Sequence, residues 1–395
     1  MSNQNSIVIV SAKRSPIGSF QGAISSVPAT KLGSLVISKI LEDTMIDNSL
    51  IDEVIMGNVL SAGIGQAPAR QAALGAGLPD TVECLTINKM CGSGLKAVML
   101  AAQGIQVKDA NIIIAGGFEN MSQAPYLISK ARNGYRLGHG DLVDSLISDG
   151  LWDVYNDMHM GSCAEICARD RNYTISDQND FAKESYRRAI DAQKKGVFNN
   201  EIVSIDIKNK NKTITFDNDE EPKKVNFEKM DTLKPVFKED GTITAANASK
   251  INDGAASLLL MSENKASELG FKPLARIVSQ ASAAHDPKWF TTAPIEAIKK
   301  VLMKADMEVD DIDLWEVNEA FAPVTMSVID EYNLDYEKVN INGGAIALGH
   351  PIGASGARIL TTLTHALHHK EKAIGLATLC IGGGEASALI IERLN

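Results

Sequence analysis

The sequence is poor in aromatic residues, in cysteine and in long apolar runs. Aromatic side chains make up 5% of the 395 residues, and only five cysteines are present. Because their number is odd and they are widely spread, we expect reduced thiols rather than a disulfide framework. No apolar run approaches the roughly 20 residues that a membrane-spanning helix needs, so no membrane span is predicted.

An excess of positive charge is also missing. The formal net charge is −10, which gives no general attraction for nucleic acid or an anionic membrane. The chain starts with Met1–Asn5 and runs directly into strand-like Ser6–Ser11, without a basic segment and an apolar segment in succession. The last residues, Glu392–Asn395, are not a peroxisomal Ser-Lys-Leu signal. These features predict a cytoplasmic protein.

What is present is the composition of an ordinary globular protein. Apolar residues make up 45% and charged residues 22% of the chain, and 395 residues suit two or three domains. Residues 6–120 alternate strand-like and helix-like patterns. The run Ile112–Gly117 is apolar throughout until its glycines, as expected for a strand covered by helices on both sides. The pattern predicts an α/β fold.

The periodicity divides the chain into three parts. We expect an N-terminal α/β half at 1–120, an inserted loop domain at 121–247 whose end rejoins that half, and a C-terminal α/β half at 248–395. Within the insert we predict a helix over Asp177–Lys195 with Ser176 as its N-cap, and a surface hairpin or loop at Lys208–Glu221.

The two outer parts resemble each other. Thr86–Asn88 precedes a glycine-rich turn and an apolar helix, and Asn340–Asn342, predicted as the end of a strand that starts at Val339, does the same. Each block is followed by a buried strand that ends in glycines. We therefore expect two related halves about a pseudo-dyad, with matching strand ends facing one shared site.

The most reactive stretch is Asn88–Ala97, which places Cys91 where a strand gives way to a helix. The first NH groups of a helix are unpaired and partly positive, so a thiol there is easier to ionise. Gly92 and Gly94 let a substrate approach the backbone. This stretch alone leaves open the alternative that Cys91 is a small packing residue in a buried turn.

Three further stretches place polar or thiol groups just after predicted strands. They are Asn318–Ala322, Asn342–Gly356 with His350, and Cys380–Gly384. Each has a structural alternative, because Asn318 suits a helix cap, His350 suits a structural histidine and the glycines suit tight turns. Cys163 and Cys167 lack the partners of a zinc site, so we interpret them as packing residues and predict no metal.

Together these stretches resemble the thiolase family, in the family's order. The resemblance extends from Ala12–Gly18 to the final strand and includes Glu165 and Thr244–Gly254. It is strongest with the acetyl-CoA acetyltransferase branch, through His159–Glu165 and Trp315–Glu319. The resemblance implies duplicated βαβαβαββ halves that form a five-layered αβαβα core with an inserted loop domain. It also implies reversible Claisen condensation of two acetyl-CoA to acetoacetyl-CoA plus CoA.

The resemblance also implies the site. Cys91 would be the nucleophile that carries the acyl group, and Cys380 the acid/base that removes a proton from the second acetyl-CoA. His350 would accept the proton of Cys91 and donate to the thioester oxygen. Asn318 would hold a water at that oxyanion site, and the backbone NH groups of Cys91 and Gly382 would form a second one.

For the coenzyme, the resemblance implies that Ser249 contacts the pantetheine arm. The residues expected to line the pantetheine and acyl pocket are His159, Met160, Phe237, Ala320 and Phe321. Each is also a plausible core residue. Lys223 or Lys224 would meet the nucleotide phosphates, although lysines in charged loops are often only solvated.

Several expectations concern partners and ions. Coenzyme A thioesters are the substrates, and no tightly bound cofactor is predicted. Lys250 stands where bacterial members often have glycine, and Glu385 where many have an uncharged residue. Pro222 replaces the tyrosine of potassium-activated relatives, which argues against a potassium site. The segment Arg132–Asp149 resembles the association loop of tetrameric members, so a homotetramer built from dimers is expected.

Three alternatives compete with this hypothesis. The nearest is a 3-ketoacyl-CoA thiolase of fatty-acid degradation. A non-catalytic acyl-CoA carrier on the same scaffold would have no need of Cys380, and a ketosynthase-like enzyme would have a second histidine in place of that thiol.

Overall fold

The computed structural model describes residues 6–209 and 212–394. Its β-strands are β1 Ile7–Arg14, β2 Gly18–Ser19, β3 Glu53–Gly57, β4 Glu83–Ile87, β5 Ile112–Asn120, β6 Tyr126–Ile128, β7 Leu142–Asp144, β8 Trp152–Asp153, β9 Met158–His159, β10 Ile205–Asn209, β11 Lys212–Phe216, β12 Asn252–Ser262, β13 Ala275–Ala284, β14 Leu314–Val317, β15 Ile374–Ile381 and β16 Glu385–Arg393. Its α-helices are α1 Ala29–Thr44, α2 Pro68–Gly75, α3 Ser93–Val107, α4 Ser145–Gly150, α5 Met160–Asp170, α6 Ile175–Lys194, α7 Phe227–Met230, α8 Glu263–Glu268, α9 Ala293–Ala305, α10 Ala322–Tyr332, α11 Ala345–Leu348 and α12 Ser355–His369.

The main sheet has the same strand order read outward from its centre in either direction. On one side the order is β1, β12, β5, β3, β4, and on the other it is β13, β16, β15, β14. An isolated parallel bridge between Trp315 and Val339 lies beyond β14 on the second side. It occupies the position that β4 occupies on the first side. A short antiparallel contact between β1 and β13 joins the halves. This symmetry confirms the predicted duplication.

The N-terminal half has the predicted βαβαβαββ order only when β12 is counted with it, and in the C-terminal half a single bridge at Val339 stands in place of the third strand. β12 hydrogen-bonds to β1 on one edge and to β5 on the other. The predicted division at residue 248 separates β12 from these partners. A division after Ser262 keeps them together.

Helices and sheets alternate in five layers, as predicted. Residues of α3 and α12 share one core cluster with strands of both halves, so these two helices form the middle layer. On the outer faces, α1 and α2 pack against the strands of the N-terminal half, and α9 and α10 pack against the strands of the C-terminal half. The strands are apolar on both faces because each face meets a helix layer.

The two central helices cross at glycines. A Cβ at Gly356 would lie 2.4 Å from the backbone nitrogen of Leu95, and a Cβ at Gly94 would lie 2.8 Å from the backbone nitrogen of Ala357. Both distances are too short for any larger residue without movement of the backbone. The glycines thus allow the beginnings of α3 and α12 to touch, and with them the loops that precede both helices.

The inserted segment contains the predicted helix and hairpin. The helix starts at Ile175 and is capped by Thr174, which forms a capping box with Asp177, so the prediction of Ser176 as the cap is wrong. β10 and β11 pair antiparallel, which confirms the hairpin, whose residues 210–211 lie outside the described residues.

One predicted strand is absent. Val339–Asn342 forms a single bridge and a turn instead of a strand. Asn340 lies in the left-handed region with φ of 47°, and its side chain accepts a hydrogen bond from the NH of Val317 and donates one to its carbonyl. The amide side chain therefore takes the place of the backbone ladder. Over residues 6–209 and 212–394, no helix is long and apolar enough to cross a membrane.

Gly356→Ala tests the crossing of the central helices. The added methyl group has no space beside Leu95, so we expect a loss of about 1–3 kcal/mol in the free energy of unfolding, as for other overpacked cores. Urea denaturation measures it. Gly104→Ala in α3 is the matched control, because a Cβ there meets only the tip of Ile113 at 3.4 Å and gains helix propensity. Equal stability of the two variants would contradict the proposed role of the crossing.

Candidate active site

Cys91 lies in a tightly bonded turn between β4 and α3. The hydroxyl of Ser93 accepts a hydrogen bond from the NH of Lys89 at 2.8 Å and donates one to the carbonyl of Met90 at 2.6 Å. Met90 lies in the left-handed region with φ of 47°, which is uncommon for a residue with a side chain. Gly92 packs directly against the C-terminal half, because a Cβ there would lie 2.3 Å from the end of the Ile381 side chain. The turn thus fixes the sulfur against the C-terminal half.

The thiol of Cys91 is protonated in this setting. Burial raises the pKa of Cys91 to about 11, although the NH groups of Gly382 and of Cys91 itself face the sulfur and act in the opposite direction. The buried carboxyl of Glu119 raises this pKa further. The expectation that the helix start eases ionisation is therefore wrong for the resting protein, because desolvation outweighs the NH groups.

The second thiol meets the first from the other half. Cys380 is fully buried near the end of β15, and its pKa is raised by burial and by the neighbouring Cys91. The Gly382 NH that faces the sulfur of Cys91 belongs to the turn that follows β15. The ion pair of Lys89 with Glu385 also connects these two turns. The structure thus places Cys91, Cys380 and Gly382 together.

His350 is held in one tautomer. Its Nδ1 lies 2.6 Å from the hydroxyl of Ser355, and that hydroxyl donates its only proton to the carbonyl of Pro351 at 2.8 Å. This arrangement favours Nδ1 as the donor, which leaves the lone pair on Nε2. Nε2 is buried and has no partner among the described residues. Nε2 is therefore the atom of His350 that can accept a proton.

The imidazole of His350 is neutral at physiological pH. Burial, and after it the guanidinium of Arg358, lowers the pKa of His350 to about 3. Arg358 is itself buried and lies 3.5 Å from the carboxyl of Glu316. A buried cation beside a histidine disfavours a second positive charge.

Asn318 presents an unpaired amide. Its backbone NH bonds the carbonyl of Thr378, two residues before Cys380, at 3.0 Å. Its side chain is fully buried, and neither Oδ1 nor Nδ2 has a partner among the described residues. It caps no helix, because Phe321 precedes α10. Buried polar atoms without partners are costly, so the amide is suited to bind substrate or solvent.

Packing relates His350 to Cys91. Cys91 contacts a small apolar cluster that contains Ile352, two residues after His350. The backbone NH of His350 bonds the side chain of Asn252 at 2.9 Å, at the start of β12. The four stretches that follow predicted strands in the sequence are therefore neighbours in the fold.

Most of the predicted pocket residues lie in one apolar cluster with Cys380. Met160, Ala320 and Phe321 are buried in this cluster, and Phe237 packs against it. The ring of Phe237 stacks on His159 at 4.7 Å between centroids and meets Phe321 at 6.1 Å.

Ser249 lies beside this cluster, because its NH bonds the carbonyl of Ala320 at 3.0 Å. His159 also caps α5 by accepting a hydrogen bond from Gly161, so it has a structural role as well.

The lysines predicted at the nucleotide phosphates are exposed. Lys224 is engaged with Glu220 at 2.8 Å and with the hydroxyl of Ser19 at 2.6 Å. Lys223 is on the surface of the same short turn, beside the buried Pro222.

Sequence reasoning missed Glu119. Its buried carboxylate accepts hydrogen bonds from the NH groups of Val59, Leu60 and Gly353, and so connects loops of the two halves. Burial raises the pKa of Glu119 to about 7, against the effect of those three bonds. An acidic residue two positions after the glycines of an apolar strand is a signal that was available, since such a residue needs partners if it is buried.

The chain belongs to the thiolase family. Residues 7–264 match the family described as Thiolase, N-terminal domain, and residues 271–393 match Thiolase, C-terminal domain. This confirms the predicted resemblance and the predicted fold class.

Similar proteins cover the whole chain. The acetyl-CoA acetyltransferase of Escherichia coli is 52% identical over 390 residues, which is 98% of this chain and 99% of that protein. A protein described as a probable acetyl-CoA acetyltransferase from Dictyostelium discoideum is 50% identical over 99% of this chain and 95% of its own.

Solved structures agree with this similarity. The crystal structure of the Bacillus anthracis acetyl-CoA acetyltransferase has a TM-score of 0.96 at 43% identity and covers 99% of both chains. A thiolase from Ascaris suum in complex with coenzyme A has a TM-score of 0.94 at 44% identity, over 98% of this chain and all of that one.

The pH dependence of Cys91 alkylation tests its protonation. Since the pKa is raised to about 11, the thiolate fraction rises about tenfold per pH unit below that value. We expect the rate of modification by iodoacetamide to climb steadily from pH 7 to pH 10, as followed by peptide mass spectrometry. A rate that is already constant between pH 6 and pH 8 would indicate a preformed thiolate and contradict the assignment.

Ser355→Ala tests the tautomer of His350. Without the hydroxyl, Nδ1 loses its acceptor and the lone pair is no longer fixed on Nε2. The lost hydrogen bond is expected to lower kcat by roughly 5- to 30-fold. The pH profile of kcat should change as well, whereas a merely structural role would leave its shape unaltered. Ser355→Thr keeps a hydroxyl and is the matched control. An unchanged kcat in Ser355→Ala would show that Ser355 does not position the ring.

Proposed function

We propose that this chain is an acetyl-CoA C-acetyltransferase, which joins two acetyl-CoA into acetoacetyl-CoA and CoA, and catalyses the reverse. The observation that carries the proposal is the meeting of two thiols from two halves, with the NH of Gly382 aimed at the sulfur of Cys91. Full-length relatives at about 50% identity carry the name of this activity. A carrier that only binds acyl-CoA has no use for the second thiol.

The first half-reaction transfers an acetyl group to Cys91. Its sulfur attacks the thioester carbonyl of acetyl-CoA, and its proton passes to Nε2 of His350. The tetrahedral oxyanion is stabilised by the NH groups of Cys91 and Gly382. The carbon–sulfur bond to CoA breaks, and Cys380 protonates the departing CoA sulfur. Because the pKa of Cys91 is raised and that of His350 lowered, the proton moves as the sulfur attacks rather than before.

The second half-reaction forms the carbon–carbon bond. The Cys380 thiolate removes a proton from the methyl group of a second acetyl-CoA. The enolate oxygen accepts a hydrogen bond from protonated Nε2 of His350 and from a water held by the amide of Asn318. The enolate carbon attacks the acetyl group, and Cys91 leaves with the proton of His350. All three side chains return to their resting protonation states.

The pocket beside Cys380 suits a pantetheine arm and a short acyl group. We propose that Ser249 contacts the arm and that His159 and Phe237 flank it. Met160 and Phe321 are almost fully buried in this cluster and limit the length of the acyl group. Lys223 would meet the nucleotide phosphates from the surface.

Two substitutions test the separate roles of Cys91 and Cys380. Cys91→Ala should abolish the acetyl-enzyme, which intact-protein mass spectrometry detects after mixing with acetyl-CoA. Cys380→Ser should still acetylate Cys91, because the CoA thiolate is a good leaving group even without the Cys380 proton. It should form no acetoacetyl-CoA, because a hydroxyl is a poor base for the methyl proton. Full turnover in Cys91→Ala would exclude this mechanism.

A comparison of thiolysis substrates tests the size of the acyl pocket. We expect cleavage of acetoacetyl-CoA to be far faster than cleavage of long-chain 3-ketoacyl-CoA, because Met160 and Phe321 close the pocket. Efficient cleavage of the long chains would instead favour the degradative 3-ketoacyl-CoA thiolase.

Assembly and location stay predictions. A homotetramer is supported by exposed apolar side chains around the β6–β7 hairpin, such as Tyr126, Leu142 and the fully exposed Leu137. Light scattering would measure the mass in solution. A cytoplasmic location and a role in lipid metabolism likewise stay predictions, and a bovine relative at 50% identity is named mitochondrial.

A further inference from the structure

Lys250 folds back over its own loop. Its ammonium donates a hydrogen bond to the carbonyl of Ala245 at 2.5 Å and another to the carbonyl of Ala248 at 3.0 Å. Two main-chain oxygens thus converge on one positive charge. An ammonium has three N–H donors, and carbonyl oxygens arranged in this way replace the water around a cation.

The ammonium lies at the wall of a cavity of about 240 Å³, whose lining includes the Tyr186 ring. The ring centroid is 6.0 Å from Nζ, within the range of a cation–π contact. The other charged groups at this cavity are Glu221, Lys224 and Lys229. Burial lowers the pKa of Lys250 to about 8, against the attraction of Glu221.

The loop bound by Lys250 connects directly to the predicted pantetheine site. The NH of Ser249 bonds the carbonyl of Ala320, and the NH of Ala322 bonds the carbonyl of Asn247 at 2.9 Å. Ala248 also forms an isolated bridge with Phe321. A shift of this loop would therefore move Ser249 and the edge of the acyl pocket together.

Potassium does not fit this loop well. Potassium is ligated in proteins by carbonyl oxygens, and those of Ala245 and Ala248 are already bound by the ammonium. Pro222, which replaces the tyrosine of potassium-activated relatives, has no side-chain oxygen to offer.

We propose that Lys250 is a positioning residue whose ammonium serves as a built-in monovalent cation for the loop Ala245–Ser249. The coenzyme A site of this protein consequently needs no potassium. The inference rests on the proposed acetyltransferase function, because it concerns the binding of that substrate.

The wild-type protein gives the first test. Acetoacetyl-CoA synthesis is measured in potassium chloride and in sodium chloride at equal ionic strength. We expect the same KM and kcat in both salts. A several-fold activation by potassium would overturn the inference, although the acetyltransferase function would stand. Absence of any Cys91 acetylation by acetyl-CoA would instead refute the proposed function itself.

Lys250→Met gives the second test, because it keeps the length of the side chain and removes its charge. We expect KM for acetyl-CoA to rise by roughly 5-fold or more, with a much smaller change in kcat. Lys195→Met removes an exposed lysine of the same charge and is the control, with KM unchanged. An unchanged KM in Lys250→Met would overturn the inference.

Lys250→Ala separates a positioning role from a fault in folding. The shortened side chain leaves room for methylammonium, which can bind the two carbonyls without a covalent tether. We expect added methylammonium chloride to lower KM toward the wild-type value, whereas sodium chloride at the same concentration should not. An identical response to the two salts would contradict the role of the ammonium.

Discussion

The close crossing of α3 and α12 is the constraint on which the site depends. At Gly94 and Gly356 the two helices approach with no side chain between their backbones. Because each helix begins directly after a reactive loop, the crossing brings the loop of Cys91 next to the loop that contains His350. The neighbouring parallel strands β14 and β15 of the C-terminal half then place Asn318 and Cys380 at their carboxyl ends. This contact between the two helices thus allows residues from both halves to form one site.

Burial is the second constraint, and it keeps the resting site uncharged. It raises the pKa of both thiols and lowers that of His350, so none of the three carries a charge at neutral pH. Charge separates only when a substrate is present to receive it. The NH groups of Cys91 and Gly382 and the amide of Asn318 are fixed in advance, as stabilisation of an oxyanion requires. The proposed coenzyme site is fixed in advance in a similar way, because the ammonium of Lys250 holds the loop Ala245–Ser249 through two carbonyl oxygens.

The sequence indicated which residues form the candidate site, but it did not indicate which of them are protonated. The four stretches named from the sequence are neighbours in the fold, and most of the predicted pocket residues lie in one cluster with Cys380. The predicted ease of ionisation of Cys91 was wrong, because a helix start favours the thiolate while burial, invisible along the chain, opposes it more strongly. Ser355 was overlooked as a partner of His350, since a serine five residues away is not a signal by itself.

The fold, too, has features that the sequence predicts and features that it does not. Periodicity along the chain determined the α/β class, the duplication and the helix of the inserted segment, because these depend on local patterns of apolar residues. The predicted strand at Val339–Asn342 was wrong, because strand pairing depends on partners that are distant in the sequence. The sequence by itself determined the reactive groups and their order. Only the tertiary structure decided their protonation, the tautomer of His350 and the partners of Lys250, since each depends on burial and on atoms that folding brings together.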